Sequence, residues 1–251
     1  MSAAPSLSSP PLPIVLPGTR TGRDPERSIP RGPRRAPPEV VAATQRDRLL
    51  DGIVRTVALN GYTRARISDI CQAAGVTRPV FYEQFKGKED AFLAAHRHGT
   101  SLVIQAMETA FNRAADWPAG IRDGLGALLG ILAEAPAFAA MAVVETDAVG
   151  PAGRAEREAL LARFRRFFGG LPEPHQAVPV EELVDIVVGG VYAAIYRRIA
   201  AGRTAELPDL LPTLTFYVLA PFLGTAEAAG HSTDASPQIR RKINTLCAQV
   251  P

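Results

Sequence analysis

From Glu39 onward the apolar residues recur three and four apart, and no alternating run is long enough to make a useful strand. In "PPEVVAATQRDRLLDGIVRTVALNGY" Leu50, Ile53, Val54, Val57 and Ala58 form one stripe, and Gly61 is a natural left-handed stop after it. A second helix is predicted from about Ile67, with Ile70, Cys71 and Ala74 facing inward and Gly75 ending it. Thr77 is placed to cap a third helix, and Pro79 sits in its first turn, where a missing N–H costs nothing. Phe81 and Phe85 then repeat four apart; Gly87 interrupts, and a long helix runs from Lys88 to about Asp116.

Breakers divide the remainder. "DWP" opens a helix to about Glu134, and Ala135 with Pro136 starts a shorter one. "GPAG" precedes "RAEREALLARFRRFF", and "GGLPEPHQAVP" reads as a loop. Residues 180–201 and 208–223 give two further apolar helices, and "SPQIRRKINTLCAQV" suits a last short one. There is no internal repeat, and the predicted fold is all-α.

Composition changes this picture mainly at the front. Residues 1–38 hold ten of the 22 prolines and six arginines against Asp24 and Glu26, a net +4 in a chain whose total is +3. Such a segment cannot repay its ordering entropy, so it is expected to be a disordered arm, either brushing DNA phosphates or simply solvated. Two cysteines, Cys71 and Cys247, make neither a disulfide framework nor a zinc site and suit a reducing cytosol. The most apolar run, 183–196, is shorter than the ~20 residues of a bilayer span. The expected location is cytoplasmic, without a membrane partner. No nucleophile elbow, phosphate-cradling glycine loop or acid/base pair stands out, so an enzyme is not expected. His96 and His98 point to different helix faces, and His175 and His231 fall in loops, so no metal or cofactor is assigned.

Three short helices closing on a small core, the last two joined through a glycine turn, are the layout of a helix-turn-helix. Its second helix lies in the major groove while the first braces on the backbone. Residues 61–92, "GYTRARISDICQAAGVTRPVFYEQFKGKEDAF", resemble the DNA-binding domain of the TetR/AcrR family of bacterial transcriptional regulators. The matching features are the Gly–Tyr before helix two, the "DI…AAGV" turn, the aromatic pair and later Phe of helix three, and the "K-E" opening of helix four. The resemblance implies an N-terminal helix-turn-helix domain (39–92) and a larger helical ligand-binding and dimerisation domain (93–230), with 231–251 a tail or short helix.

Carried over to this chain, it implies that Arg78, Pro79, Val80 and Glu83 face base edges. Thr77, Tyr82, Gln84 and Lys88 would bond phosphates, with Ser68 and Arg66 beside them at the start of helix two. The chain departs from the family in having Arg66 where helix two is usually capped by Ser or Thr. It also has Val80 in place of a small hydroxyl residue, and Gly87 in place of a capping Ser. These departures bear on the operator sequence rather than on the motif.

Operators are read as two half-sites, so a homodimer is expected, formed by the helices at 180–201 and 208–223, where Gly189, Gly190, Ala193 and Ala194 permit close approach. The middle helices are expected to enclose a small hydrophobic effector, with Trp117, Phe138, Met141, Phe164, Phe168 and Tyr192 as candidate lining. Glu145 follows a small and apolar run, so its carboxylate either orients a ligand amine or hydroxyl, pairs with an arginine such as Arg163, or sits at a solvated edge. The function expected is a repressor released from a palindromic operator by that effector. An activator of the same family, or a helical interaction protein with a degenerate DNA-binding domain, are the alternatives.

Overall fold

The computed structural model describes residues 14–20, 37–171 and 178–233, and these contain helices and turns without a strand. Helix α1 (Pro38–Asn60) starts on a proline, which needs no partner for an N–H, and buries Leu49, Leu50, Ile53, Val54 and Val57. Helix α2 (Ile67–Ala74) lies close against it at Gly52, where an added Cβ would come 2.8 Å from the Ile70 carbonyl oxygen. Glycine is therefore what lets these two helices pack so tightly. Gly75 ends α2 in the left-handed region (φ 66°, ψ 36°), and the Val76 N–H turns back to the Cys71 carbonyl at 3.0 Å. That turn aims helix α3 (Arg78–Gln84) across α1 and α2.

Helix α4 (Lys88–Asn112) opens at Gly87, and Asp90 in its first turn accepts from the Lys86 N–H at 2.9 Å. Short of the expected end, it gives way to a turn before Asp116 caps helix α5 (Trp117–Glu134), accepting from the Ala119 N–H at 2.8 Å. The short α6 (Pro136–Ala139) runs into a π turn, Ala140–Val144, and then a 3-10 turn, Thr146–Val149. Helix α7 (Pro151–Phe164) comes next, continued by a 3-10 turn at Arg165–Phe168. Helix α8 (Val180–Ala200) leads to a 3-10 stretch, Thr204–Leu210, and only then to α9 (Leu211–Leu223); α10 (Thr225–Thr233) packs on α9 and carries His231, a residue the sequence suggested for a loop. The first three residues of the helix expected at 208–223 thus belong to the 3-10 stretch, which contains Pro208.

The front of the chain departs further from expectation. In the segment 14–20, Leu16 is 2% exposed and joins the core. The Gly18 N–H donates to Asp51 Oδ1 on α1 at 2.6 Å, and the Thr19 hydroxyl closes the turn on the Leu16 carbonyl at 2.7 Å. Gly18 has φ +94°, and a Cβ there would strike Val54 Cγ1 at 2.4 Å with Ala137 of α6 just beyond. The segment is thus a strap across the seam between α1 and α6. Proline-rich composition describes residues 1–38 on average, but one apolar triplet leading into Pro-Gly is enough to seat these seven. The disordered arm expected at 1–13 and 21–36, the helix expected after residue 236, His175 and Cys247 lie outside the described residues.

Candidate nucleic-acid interface and apolar cavity

Helix α3 has two unlike faces. Behind, Phe81 is fully buried, with Tyr82 edge-on to it at 5.4 Å and Phe85 tilted at 5.8 Å between ring centroids. Arg46 of α1 lays its guanidinium 4.6 Å from the Phe85 ring centre and donates to the Gln84 carbonyl at 3.2 Å, satisfying an end-of-helix acceptor. In front, Thr77, Arg78, Pro79, Glu83 and Tyr82 (57%) are exposed, and Val80 and Gln84 are half-buried. Thr77 holds the extended N-cap backbone, but its hydroxyl makes no capping bond. Arg66 and Ser68 are exposed at the start of α2, the Ser68 hydroxyl donating to Asp69 at 3.2 Å.

Lys88 is a correction. Its ammonium turns inward, donating to the carbonyls of Tyr62 (2.8 Å) and Ala65 (3.0 Å) and sitting 4.3 Å from the Tyr62 ring centre. Partial burial lowers its pKa. Three backbone oxygens and a ring face compete for that cation before any phosphate does, and the 61–65 loop is thereby tied to the first turn of α4. The same loop is held from its other side, where the Tyr62 N–H donates to Glu145 Oε2 at 2.7 Å. Glu145 therefore does not face a ligand or Arg163, which instead reaches Ser101 at 3.4 Å.

An apolar cavity with about 930 Å³ of empty space, mouth included, opens among α4, α5, α7, α8 and the π turn. Phe138, Phe164, Phe168 and Tyr192 line it, as the sequence suggested. Trp117 does not, because its indole N–H is fixed on the Phe167 carbonyl at 2.8 Å and its ring packs edge-on to Phe222. Nor does Met141, which is wholly buried in the core. Sequence reasoning favoured aromatics and passed over the aliphatic stripes of α4 (Val103, Ile104, Met107) and α8 (Val187, Val191, Ile195), whose helical spacing was the available signal. The two hydroxyls on the wall are both engaged: Thr100 donates to the His96 carbonyl at 2.7 Å, and Tyr192 to the Val143 carbonyl at 2.9 Å. Burial pushes the Tyr192 pKa up to about 12, so that donor persists at neutral pH. A wall without free polar side chains selects an apolar occupant.

Helices α8 and α9 leave Ile186 (65%), Tyr196, Phe216 and Tyr217 exposed together with open space around Gly189. Gly190 serves the chain internally, since a Cβ there would lie 2.1 Å from the Tyr217 hydroxyl. Among the described residues no group of three or more His, Cys, Asp or Glu is placed to hold a metal ion, and no single helix is long and apolar enough to cross a membrane.

Residues 49–95 match the profile of the bacterial regulatory proteins of the tetR family. The likeness to the tetR family is thus one of the amino-terminal unit. The residues matched run from α1 through the helix-turn-helix into the start of α4. Over 60 residues the chain is 33% identical to the fatty acid metabolism regulator protein of Bacillus subtilis, a match spanning 24% of the chain and 31% of that relative's length. Its fold is similar to that of the fatty acid degradation regulator FadR from Bacillus halodurans (TM-score 0.62, 17% identity, covering 76% of this chain and 96% of that one). It is also similar to the transcriptional regulator FadR from Bacillus subtilis solved in complex with stearoyl-CoA (TM-score 0.60, 18% identity, 70% and 97% covered). At such identities the structural likeness is one of fold.

Proposed function

We propose that this chain is a ligand-responsive repressor that binds a palindromic operator as a homodimer and is released by a small hydrophobic molecule bearing a long aliphatic chain, such as a fatty acyl group. Residues 39–92 act as the reader and 93–230 as the effector-binding and dimerising unit. The observation that carries the reading is the course of α4. Its first turn is bonded to the reader through Lys88, and Val103, Ile104 and Met107 further along it line the cavity. A helix of 25 residues spans about 37 Å, so one rigid element joins the two sites. An occupant that differs in affinity between two settings of α4 shifts their balance, typically by about 1–3 kcal/mol.

On the reader, the exposed Arg78 can fork onto guanine, Glu83 can accept from cytosine, and Pro79 and Val80 can meet a thymine methyl. Thr77, Tyr82, Gln84, Arg66 and Ser68 supply donors for the phosphates. The exposed apolar face of α8 and α9 is where a second copy docks and sets the half-site spacing. The aliphatic wall of the cavity, with both of its hydroxyls occupied, supports a chain-like effector, and the stearoyl-CoA held by the B. subtilis regulator is an occupant of that kind.

The test is binding to the DNA flanking the chain's own gene across a salt series, and then titration with stearoyl-CoA and with free fatty acids. A specific complex whose affinity falls steeply with salt, and which the acyl compounds dissociate, is expected. No preference over random duplex, or a complex indifferent to every apolar compound tried, refutes the reading.

A further inference from the structure

The π turn at Ala140–Val144 has two faces with different neighbours. Ala142 and Val143 belong to the cavity wall, and the Val143 carbonyl accepts from Tyr192, another wall residue. The turn ends at Glu145, whose N–H closes it on the Ala140 carbonyl at 3.1 Å and whose carboxylate holds the Tyr62 N–H at 2.7 Å. Thr146, fully buried, anchors the other side by donating to the Ala142 carbonyl at 2.8 Å. Tyr62 sits in the loop that joins α1 to α2, and the same residue's carbonyl receives Lys88 of α4. Gly61 has φ +76°, a setting that favours glycine, and it lies beside the same carboxylate, which a Cβ there would meet at an ordinary 3.5 Å.

We propose that Glu145 is a positioning residue that transmits occupation of the cavity to the DNA reader, along a route separate from the length of α4. The proposal rests on the reading of the chain as an effector-controlled regulator. A π turn is a rare one-residue insertion in helical geometry and is frequently found at functional sites. Relaxing it to an α turn shifts the residues after it by about one residue's rise, ~1.5 Å. A hydrogen bond of 2.7 Å does not survive a shift of that size. An occupant pressing on Ala142 and Val143 thus loosens the Tyr62 amide and, through the Tyr62 carbonyl, the Lys88 tie that fixes α2 relative to α4. A carboxylate suits the role because its bond to an N–H is charge-assisted and strong enough to hold one setting, yet it is a single contact that can be broken cleanly.

Hydrogen exchange at the Tyr62 amide of the full-length chain tests this without needing an operator or a ligand. Glu145→Ala is expected to speed that exchange at least tenfold, and Glu145→Gln, which keeps an accepting oxygen, to recover much of the protection. Tyr192→Phe, which removes the hydroxyl that bonds the Val143 carbonyl and also meets Arg157, is expected to speed Tyr62 exchange several-fold when Glu145 is present and to add nothing in the Glu145→Ala background. An equal Tyr192→Phe effect in both backgrounds, or none in either, overturns the proposal, as does Tyr62 exchange within twofold of the parent in Glu145→Ala. If Glu145→Ala folds poorly, Tyr192→Phe alone decides: an unchanged Tyr62 amide overturns the coupling. Stearoyl-CoA as a probe is expected to mimic Tyr192→Phe. A chain that never binds DNA specifically refutes the repressor reading and leaves this exchange result standing on its own.

Discussion

Gly99 of α4 lies under the ring of Phe138, and a Cβ added there would meet Phe138 Cε2 at 2.1 Å and Cζ at 2.4 Å. Gly99→Ala therefore forces the ring to withdraw by about 1.5 Å to regain an ordinary carbon–carbon separation. The free space within reach is the cavity, which Phe138 already lines. Alanine in mid-helix gains about 1 kcal/mol over glycine, and overpacking costs about 1–3 kcal/mol. The net loss is thus about 0–2 kcal/mol, a fall in Tm of up to about 8 °C for a chain of this size. The effect on binding is larger. A ring displaced into an apolar site removes room for at least a methylene, a misfit of about 1–3 kcal/mol, or roughly ten- to two-hundred-fold in affinity. Titration of a fluorescent fatty acid beside a thermal melt reads both quantities. The reasoning is refuted if affinity is unchanged at a near-parental Tm, because the ring has then gone somewhere other than the cavity. Phe138→Leu in the Gly99→Ala background is expected to restore much of the binding.

Arg78→Ala is expected to leave Tm unchanged and to cost about 1–3 kcal/mol of discrimination between operator and random duplex, read by competition anisotropy. Lys88→Met strips the charged donor from the Tyr62 and Ala65 carbonyls, so a stability loss of about 2 kcal/mol in urea melts is expected, with the salt slope of DNA binding unchanged; a slope reduced by about 1 would mean the ammonium does neutralise a phosphate. His96 is fully buried, its pKa held below the usual 6.5 by burial despite Glu156 at 3.9 Å, so the unfolded chain takes up a proton that the folded chain resists. Stability is then full above pH ~6.5 and drops by up to about 1.4 kcal/mol per unit as pH falls toward the depressed value; His96→Leu flattens this dependence in urea midpoints measured from about pH 7.5 to 5. Ile186→Asp places a charge on the exposed α8–α9 face and is expected to give monomers in sedimentation and at least tenfold weaker operator binding.

The reader was legible because its signals are local. Gly75 between two short stripes, Pro79 in a first turn and Phe81 with Phe85 four apart each dictate conformation within a few residues, and all of them hold. Four of the seven lining candidates reach the cavity, since an aromatic on an inward stripe is buried whichever neighbour it meets. Lys88, Glu145 and Trp117 could not be placed in the same way. Their partners lie 26, 83 and 50 residues away, and nothing in the local pattern distinguishes a lysine on a phosphate from one on a carbonyl. The π turn was invisible for a related reason. "AMAVV" has no residue that forbids an α turn, so nothing in the local pattern marks the extra residue. Composition misjudged residues 14–20 because it averages over a window, whereas burial is decided by a single well-placed leucine.

The strap bears on how the protein is handled at the bench. Anyone trimming a proline-rich leader to improve crystals or yield would naturally begin at Pro38, and would thereby remove Leu16 together with the amide that bonds Asp51. Val54 and Ala137 would then face water along a greasy furrow at the joint of the molecule. A preparation shortened in this way is expected to clump and to melt early, and its behaviour would say little about the full-length chain.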